Sequence, residues 1–464
     1  MLVQAKLGVG GMHLRLWLEH ALLPDGWADS VGLDVEDGSI AAVVPGADPA
    51  GRERVAGVAL PGLPNLHSHA FQRGMAGLAE TRGPAGDSFW TWRQVMYRFL
   101  GRLSPDEIEA IAAFAFMEML EGGFTSLAEF HYLHHDPDGR PYADLAETSA
   151  RIAAAAQRTG IGLTLLPVLY ARGGFGGAPA GEGQRRFLND PERFLRLVEG
   201  ARRAVAPLPD ARVGIAPHSL RAVTPDELAA VLAATPEGPV HVHVAEQVKE
   251  VEDCLAWSGR RPVEWLLGNA AVDARWCLVH ATHMVPEETE GLARSGAVAG
   301  LCPLTEANLG DGVFDGPRHM AAGGRFGVGS DSNVEITASG ELKMLEYGQR
   351  LVHRARNVMA QEEGQSLGRR LYEGALAGGA QALGRAVGAI EPGRRADLVI
   401  LDAGHPDLAA ARGDRRLDAY VFVAGRAAVE GVFVGGRRVV AGGRHPMREE
   451  IARGYARALA RVAA

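Results

Sequence analysis

LPNLHSHAFQR, residues 63–73, ends an apolar run with two histidines one residue apart and polar groups directly behind them. On a strand, residues two apart point to the same face, so His67 and His69 aim two imidazoles at one point. Taken alone, such a pair is more often satisfied core or surface histidine than a ligand pair. The surrounding pattern decides between the two.

Seven further apolar runs of strand length follow: TSLAEFHY, GLTLLPVLY, RVGIAPHS, PVHVHVAE, RWCLVHATH, AVAGLCPLTEAN and RFGVGSDSN. Helical stretches such as PDEIEAIAAFAFMEMLEGG and TPDELAAVLAAT separate several of them, with apolar positions at three- and four-residue steps and Pro-Asp-Glu in the first turn. Near-continuous apolar strands alternating with helices predict a parallel sheet covered on both faces. Eight units of this kind predict an α/β fold, a (β/α)8 TIM-type barrel carrying insertions, over residues 60–385.

In that fold the active site lies at the C-terminal ends of the strands. Of the 16 histidines, those at 67, 69, 131, 134, 135, 218, 241, 243, 280 and 283 fall at or just after the end of a proposed strand. Random scatter does not produce that.

The two ends of the chain read differently. LRLWLEHALL, SVGLDVEDGSIAAVV and RVAGVALPGLPN are short strands, with Asp37-Gly38 a hairpin cue. GAIEPGRRADLVILD and LDAYVFVAGRAAVEGVFVGGRRVV repeat that character late in the chain. Neither end has enough strands for a stable sheet of its own, so residues 1–59 and 386–464 are expected to pair into one small β-sandwich, followed by a terminal helix. Residues 1–11 read as an extension without assigned function.

Composition narrows the class. The 464-residue chain carries a formal net charge of −8 and no long basic run, which argues against nucleic acid as a partner. No apolar stretch reaches the roughly 18 residues of a membrane span, and the start lacks the pattern of a secretory signal. Cys254, Cys277 and Cys302 form no CxxC, and their odd number does not suit a disulfide framework. A reduced, cytoplasmic protein without a thiolate zinc site is expected.

Beyond His67 and His69, HVHVAE supplies His241, His243 and Glu246. LVHATHM supplies His280 and His283, and GVGSDSN supplies Asp331 after small residues. A three-residue step cannot share one face of a continuing strand, so Glu246 is expected on the turn beyond the strand end. Imidazoles with one carboxylate suit zinc, other divalent first-row ions being possible.

HxH after strand one, histidines after strands five and six, and aspartate after strand eight resemble the amidohydrolase superfamily, with the HVHVAE glutamate similar to its deaminase branch. That resemblance implies His67, His69, His243 and Asp331 as ligands of one divalent metal ion, with Zn2+ the expected ion. His280 stands close by, and a five-coordinate centre is implied. His218 sits where a bridging lysine of two-metal members is expected, which supports a single ion. HSHAFQR, SFWTWRQVMYRF, AEFHYLHHD, APHSLRAVTP and CPLTEANLGDG, in this order, resemble the N-formimidoyl-L-glutamate deiminase family, whose members release N-formyl-L-glutamate and ammonia in histidine degradation.

The resemblance implies a metal-activated hydroxide attacking an amidine carbon, with Asp331, Glu246 and His280 catalytic. Asp331 takes the water's proton, Glu246 carries protons to the leaving nitrogen, and His280 orients the nucleophile. A dicarboxylate amidine calls for cations away from the metal: Arg221, and Arg93 with Arg82 as its local rival. Gln72, Tyr132 and His218 are placed in the pocket by the same resemblance. A homodimer is a family-level expectation. His131, His134 and His135 are expected to line or support the pocket mouth rather than hold a second metal. FWTW reads as loop packing, and residues 171–184, Gly-rich without GK[ST], as a lid or a plain flexible insertion.

Two other readings compete. One is another mononuclear amidohydrolase deaminase acting on a purine, pterin or triazine-like ring. The other is a silent barrel in which a structural metal accompanies dicarboxylate binding.

Overall fold

The computed structural model describes residues 13–83 and 87–463; the proposed extension at 1–11 lies outside them. Eight parallel strand positions form the body. Leu63–Ser68, Phe124–His131, Gly162–Leu169 and the broken pair Arg212–Val213 and Ala216–Pro217 make one half. Val240–Val244, Trp276–His280, Val298–Leu301 and Arg325–Val328 make the other. Parallel bridges Ile215 to Val240 and Ser68 to Asp331 join the halves. The eight strands therefore close on themselves as a TIM-type α/β barrel.

Helices between the strands begin where the sequence signals them. Pro105–Glu121 and Pro225–Ala234 carry proline at the first turn, and Glu107 and Glu227 reach back to the amides of Ser104 and Thr224 at 3.1 and 2.8 Å. Leu367–Leu383 ends beneath the barrel floor. There its last carbonyls, which no helical amide reaches, accept from Thr164 Oγ1 (to Leu383, 2.9 Å) and His241 Nε2 (to Ala382, 2.8 Å).

Both chain ends enter one seven-stranded sheet in the order Arg437–Ala441, Val429–Val434, Leu398–Leu401, Glu53–Pro61, His13–Leu23, Gly26–Glu36, Ser39–Val44. Asp37 and Gly38 form its hairpin turn with φ of 49° and 81°, as the Asp-Gly pair predicts. Ile40 exchanges main-chain hydrogen bonds with Arg394 and Gly393, so the last strand meets the segment leading into Leu398. The apolar residues enclosed include Leu16, Leu18, Val31, Leu33, Val55, Leu398 and Ile400, a core separate from the barrel's. The terminal helix is Arg448–Ala463.

Two expected strands are corrected. In AVAGLCPLTEAN only Val298–Leu301 is strand; Pro303–Leu309 is helix, started by the proline. LDAYVFVAGR is helical over Arg415–Ala424, with Asp418 accepting from the Gly368 amide and the Ser366 hydroxyl. A short apolar run does not distinguish strand from buried helix by its period, and packing of Tyr420 and Val421 into the core decided this one.

Candidate active site

The site is built by strand ends. His67 comes from strand one and His69 from just past its end, His243 from strand five, and Asp331 from just after strand eight. Gly329 lets strand eight approach closely, since a Cβ there would stand 2.7 Å from the His67 amide nitrogen. The turns at the rim are tight: Ala245, His280, Ala281, Asp331 and Asn333 all have positive φ, between 42° and 67°. Left-handed residues with a Cβ cluster where surrounding structure overrides their preference.

Three imidazole nitrogens face one another. His67 Nε2 lies 3.2 Å from His69 Nε2 and 3.1 Å from His243 Nε2, and Asp331 Oδ1 lies 3.5 and 3.4 Å from the first two. His69 Nδ1–H donates to Phe130 O at 2.9 Å and His243 Nδ1–H to His218 O at 3.0 Å. Those bonds leave both Nε2 atoms as bare lone pairs aimed at a shared point. Burial lowers the pKa of all three, that of His67 to about 3, and keeps them neutral. Converging lone pairs repel unless a cation sits between them, so the donor set fits a divalent metal ion. Burial opposes the Asp331 carboxylate, yet its hydrogen bond with His67 and the adjacent imidazoles hold its pKa below the usual range.

Glu246 and His280 stand beside this centre. His280 Nε2 is 3.8 Å from Glu246 Oε1 and 3.9 Å from Asp331 Oδ2. Burial disfavours the His280 imidazolium, but Glu246, Glu306 and Asp331 outweigh it and raise its pKa to about 10. Burial raises Glu246 to about 7 against the pull of His280 and Arg221.

A cavity opens over the centre, lined by His69, His243, Glu246, His280 and Asp331 together with Gln72, Arg93, Tyr132, His218 and Arg221. His67 is not in the lining and joins the site through His69 and His243. Gln72 Nε2 donates to Tyr132 Oη at 2.9 Å. Arg93 projects from the helix Phe89–Leu100 with its guanidinium 4.6 Å from the Trp90 ring centre. Arg82 is exposed and outside the lining. FWTW is helical, not loop, and its Phe89 and Trp92 line the cavity.

His241 is corrected: it is the second residue of its strand and faces the floor, not the rim. His283 lies outside the lining. His134 and His135 support it indirectly. Their amides donate to Arg186 O, and their Nε2 atoms bond Val168 O and Leu188 O at 2.9 Å, which fixes Phe187 at the cavity wall.

Several contributors escaped the sequence reading. Glu306 accepts from His280 Nδ1 at 3.3 Å and from the Cys302 amide, and its signal was a buried acid on the helix after strand seven. Tyr97 and Tyr170 also line the cavity. Gln184, at the end of the Gly-rich segment, donates to Tyr170 Oη at 2.6 Å. Tyr170 was findable as the residue just beyond strand three.

The sequence profile of the amidohydrolase family matches residues 58–439. The chain belongs to the amidohydrolase family. Residues 16–57 match a second profile, formimidoylglutamate deiminase HutF, N-terminal domain. Among amidohydrolase relatives, a formimidoylglutamate deiminase of Pseudomonas aeruginosa is 56% identical over 448 residues, 96% of this chain and 98% of that protein. An 8-oxoguanine deaminase of the same organism is 28% identical, covering 83% of this chain and 85% of its own. A solved amidohydrolase structure from Brucella melitensis superposes with a TM-score of 0.93 at 55% identity, over 97% of this chain and 100% of that one. A zinc-bound adenosine deaminase from Xanthomonas campestris, at 21% identity, shares the fold with a TM-score of 0.80 over 97% of this chain and 98% of its own.

Proposed function

We infer that this amidohydrolase hydrolyses the formimino group of N-formimidoyl-L-glutamate, giving N-formyl-L-glutamate and ammonia, the deimination step of histidine degradation. The observation that carries the reading is a pair of guanidiniums, Arg93 and Arg221, facing the same cavity as the imidazole–carboxylate centre. Among the described residues the nearest carboxylates to Arg221 are Glu250 and Glu246, at 3.7 and 3.9 Å, beyond hydrogen-bonding distance. Arg93 rests on aromatic rings, and both Nε atoms are buried without a hydrogen-bond partner among the described residues. Cations held this way await an anionic ligand, and a dicarboxylate supplies two anions. The 56% identity to a formimidoylglutamate deiminase supports the same choice.

His67, His69, His243 and Asp331 would hold one divalent ion, with zinc as our assignment. When bound, that ion acidifies water at neutral pH. Asp331 receives the proton given up by the nucleophile. Glu246, within reach of His280, transfers protons to the departing nitrogen so that it leaves as ammonia rather than amide anion. His280, charged and held by Glu306, orients the nucleophile and stabilises negative charge developing on the attacked group. Arg93 and Arg221 bind the substrate carboxylates, with Gln72, Tyr132 and His218 as hydrogen-bonding partners.

The seven-stranded sheet shared by both chain ends supports reading them, over the described residues 13–59 and 386–463, as one accessory β-sandwich beside a barrel of residues 60–385. A cytoplasmic homodimer is the family-level expectation attached to this reading.

The test is ammonia release from N-formimidoyl-L-glutamate beside a panel of cyclic amidines, purines and triazines. The reading requires turnover of the linear dicarboxylate above every ring compound. Preference for a ring substrate overturns it.

A further inference from the structure

Glu250 lies at the third position of the helix Val248–Ser258 and is fully buried. A glutamate there ordinarily reaches back to the amide of the N-cap residue, here Gln247. This one reaches further. Its Oε1 accepts from the Ala245 amide at 3.2 Å and its Oε2 from the Glu246 amide at 3.3 Å. Ala245 has φ of 53°, a left-handed conformation unfavourable for a residue with a Cβ. The turn that presents Glu246 therefore needs support from outside itself.

The same Oε2 lies 3.7 Å from Arg221 Nη2, which in turn is 3.9 Å from Glu246 Oε2. One buried carboxylate thus touches both the backbone that carries Glu246 and the guanidinium that faces the substrate's anionic end. Gln247, donating to Asp311 Oδ1, braces the turn from the loop after strand seven.

We propose that Glu250 is a positioning residue that registers the two ends of the substrate against each other. It fixes Glu246 for proton delivery and aims the Arg221 fork at a carboxylate. The proposal rests on the dicarboxylate amidine reading above. Ordinary helix capping predicts a loss of stability when Glu250 is changed. Positioning predicts a change in kcat and in anion affinity while the fold persists.

The experiment compares the parent, Glu250→Gln, Arg221→Met and the double variant. Readouts are metal content, thermal midpoint, kcat and KM for N-formimidoyl-L-glutamate, and the dissociation constant of glutarate, a plain dicarboxylate. Glu250→Gln is expected to keep its metal, to lose about 10- to 100-fold in kcat as Glu246 shifts, and to bind glutarate several-fold more weakly. With Arg221 already Met, the glutarate effect should vanish while the kcat loss stays. If Glu250→Gln does not fold, Glu250→Asp, too short to reach both amides, should give the same split. A folded variant with kcat and glutarate affinity within twofold of the parent overturns the proposal. So does a glutarate loss that is equal in both Arg221 backgrounds. A parent inert toward the amidine overturns the assigned reaction instead, and the glutarate comparison then still decides the role of Glu250.

Discussion

His69 and Asp331 are joined through main chain and side chain at once. The His69 amide donates to Asp331 O at 2.9 Å, and His69 Nε2 stands 3.4 Å from Asp331 Oδ1. The Asp331 amide in turn donates to His67 O at 3.0 Å. The seam that closes the barrel and the centre of the site are therefore the same structure.

An ion bound at that seam would make metal loading measurable as stability. Elemental analysis should find one divalent ion per chain, and chelation should abolish ammonia release and lower the thermal midpoint. An ion present at 100 times its dissociation constant stabilises by about 2.7 kcal/mol. His67→Asn should lose the ion. Two ions per chain, or turnover indifferent to chelation, would contradict a single-ion centre.

Glu246 separates binding from chemistry. Glu246→Gln keeps the size of the side chain and removes its ability to carry a proton. Metal content and glutarate affinity should stay near those of the parent, while kcat falls by about 10²–10⁴-fold. Unchanged ammonia release would remove Glu246 from the proton path.

Arg221 tests the substrate class. In Arg221→Met the substrate's carboxylate enters a buried site without its cation, and loss of one partner of such a pair costs about 2–5 kcal/mol. The fall in kcat/KM should correspond, about 30- to 5,000-fold. Activity close to that of the parent would favour a ring substrate.

His241 governs part of the acid sensitivity of the fold. Burial lowers its pKa to about 4, below the value of about 6.5 expected in the unfolded chain. Between those values the unfolded chain binds the extra proton. Its contribution is therefore complete above about pH 6.5 and is lost as pH falls toward 4, up to about 3 kcal/mol in all. His241→Gln, which can still donate to Ala382 O, should flatten the decline in urea-unfolding free energy between pH 7 and pH 5. An unaltered slope would show that the acid sensitivity arises elsewhere.

Local signals were legible where one residue type has one physical reason to be present. Asp37-Gly38 is a hairpin because both positions need positive φ, and Pro105 and Pro225 start helices because their missing N–H is unneeded there. The alternation of apolar runs with amphipathic helices marked the barrel. Runs such as LDAYVFVAGR misled because four or five apolar residues suit a strand and a buried helix equally. Arg93 and Arg82 were indistinguishable from sequence because both lie in one long segment. Only the helix Phe89–Leu100 turns one of them into the cavity.

By itself the sequence determined the strand–helix alternation and the residue types at the strand ends, because periodicity and ligand chemistry are local properties of a chain. Tertiary structure alone decided that His241 meets a helix end while His243, two residues on, meets His67. It alone set Glu250 against Arg221, and Glu306 against His280. Those pairings depend on the packing of separate strand ends into one barrel, whose closure also brings Asn333 to Ser68 across 265 positions, and no local pattern records such contacts.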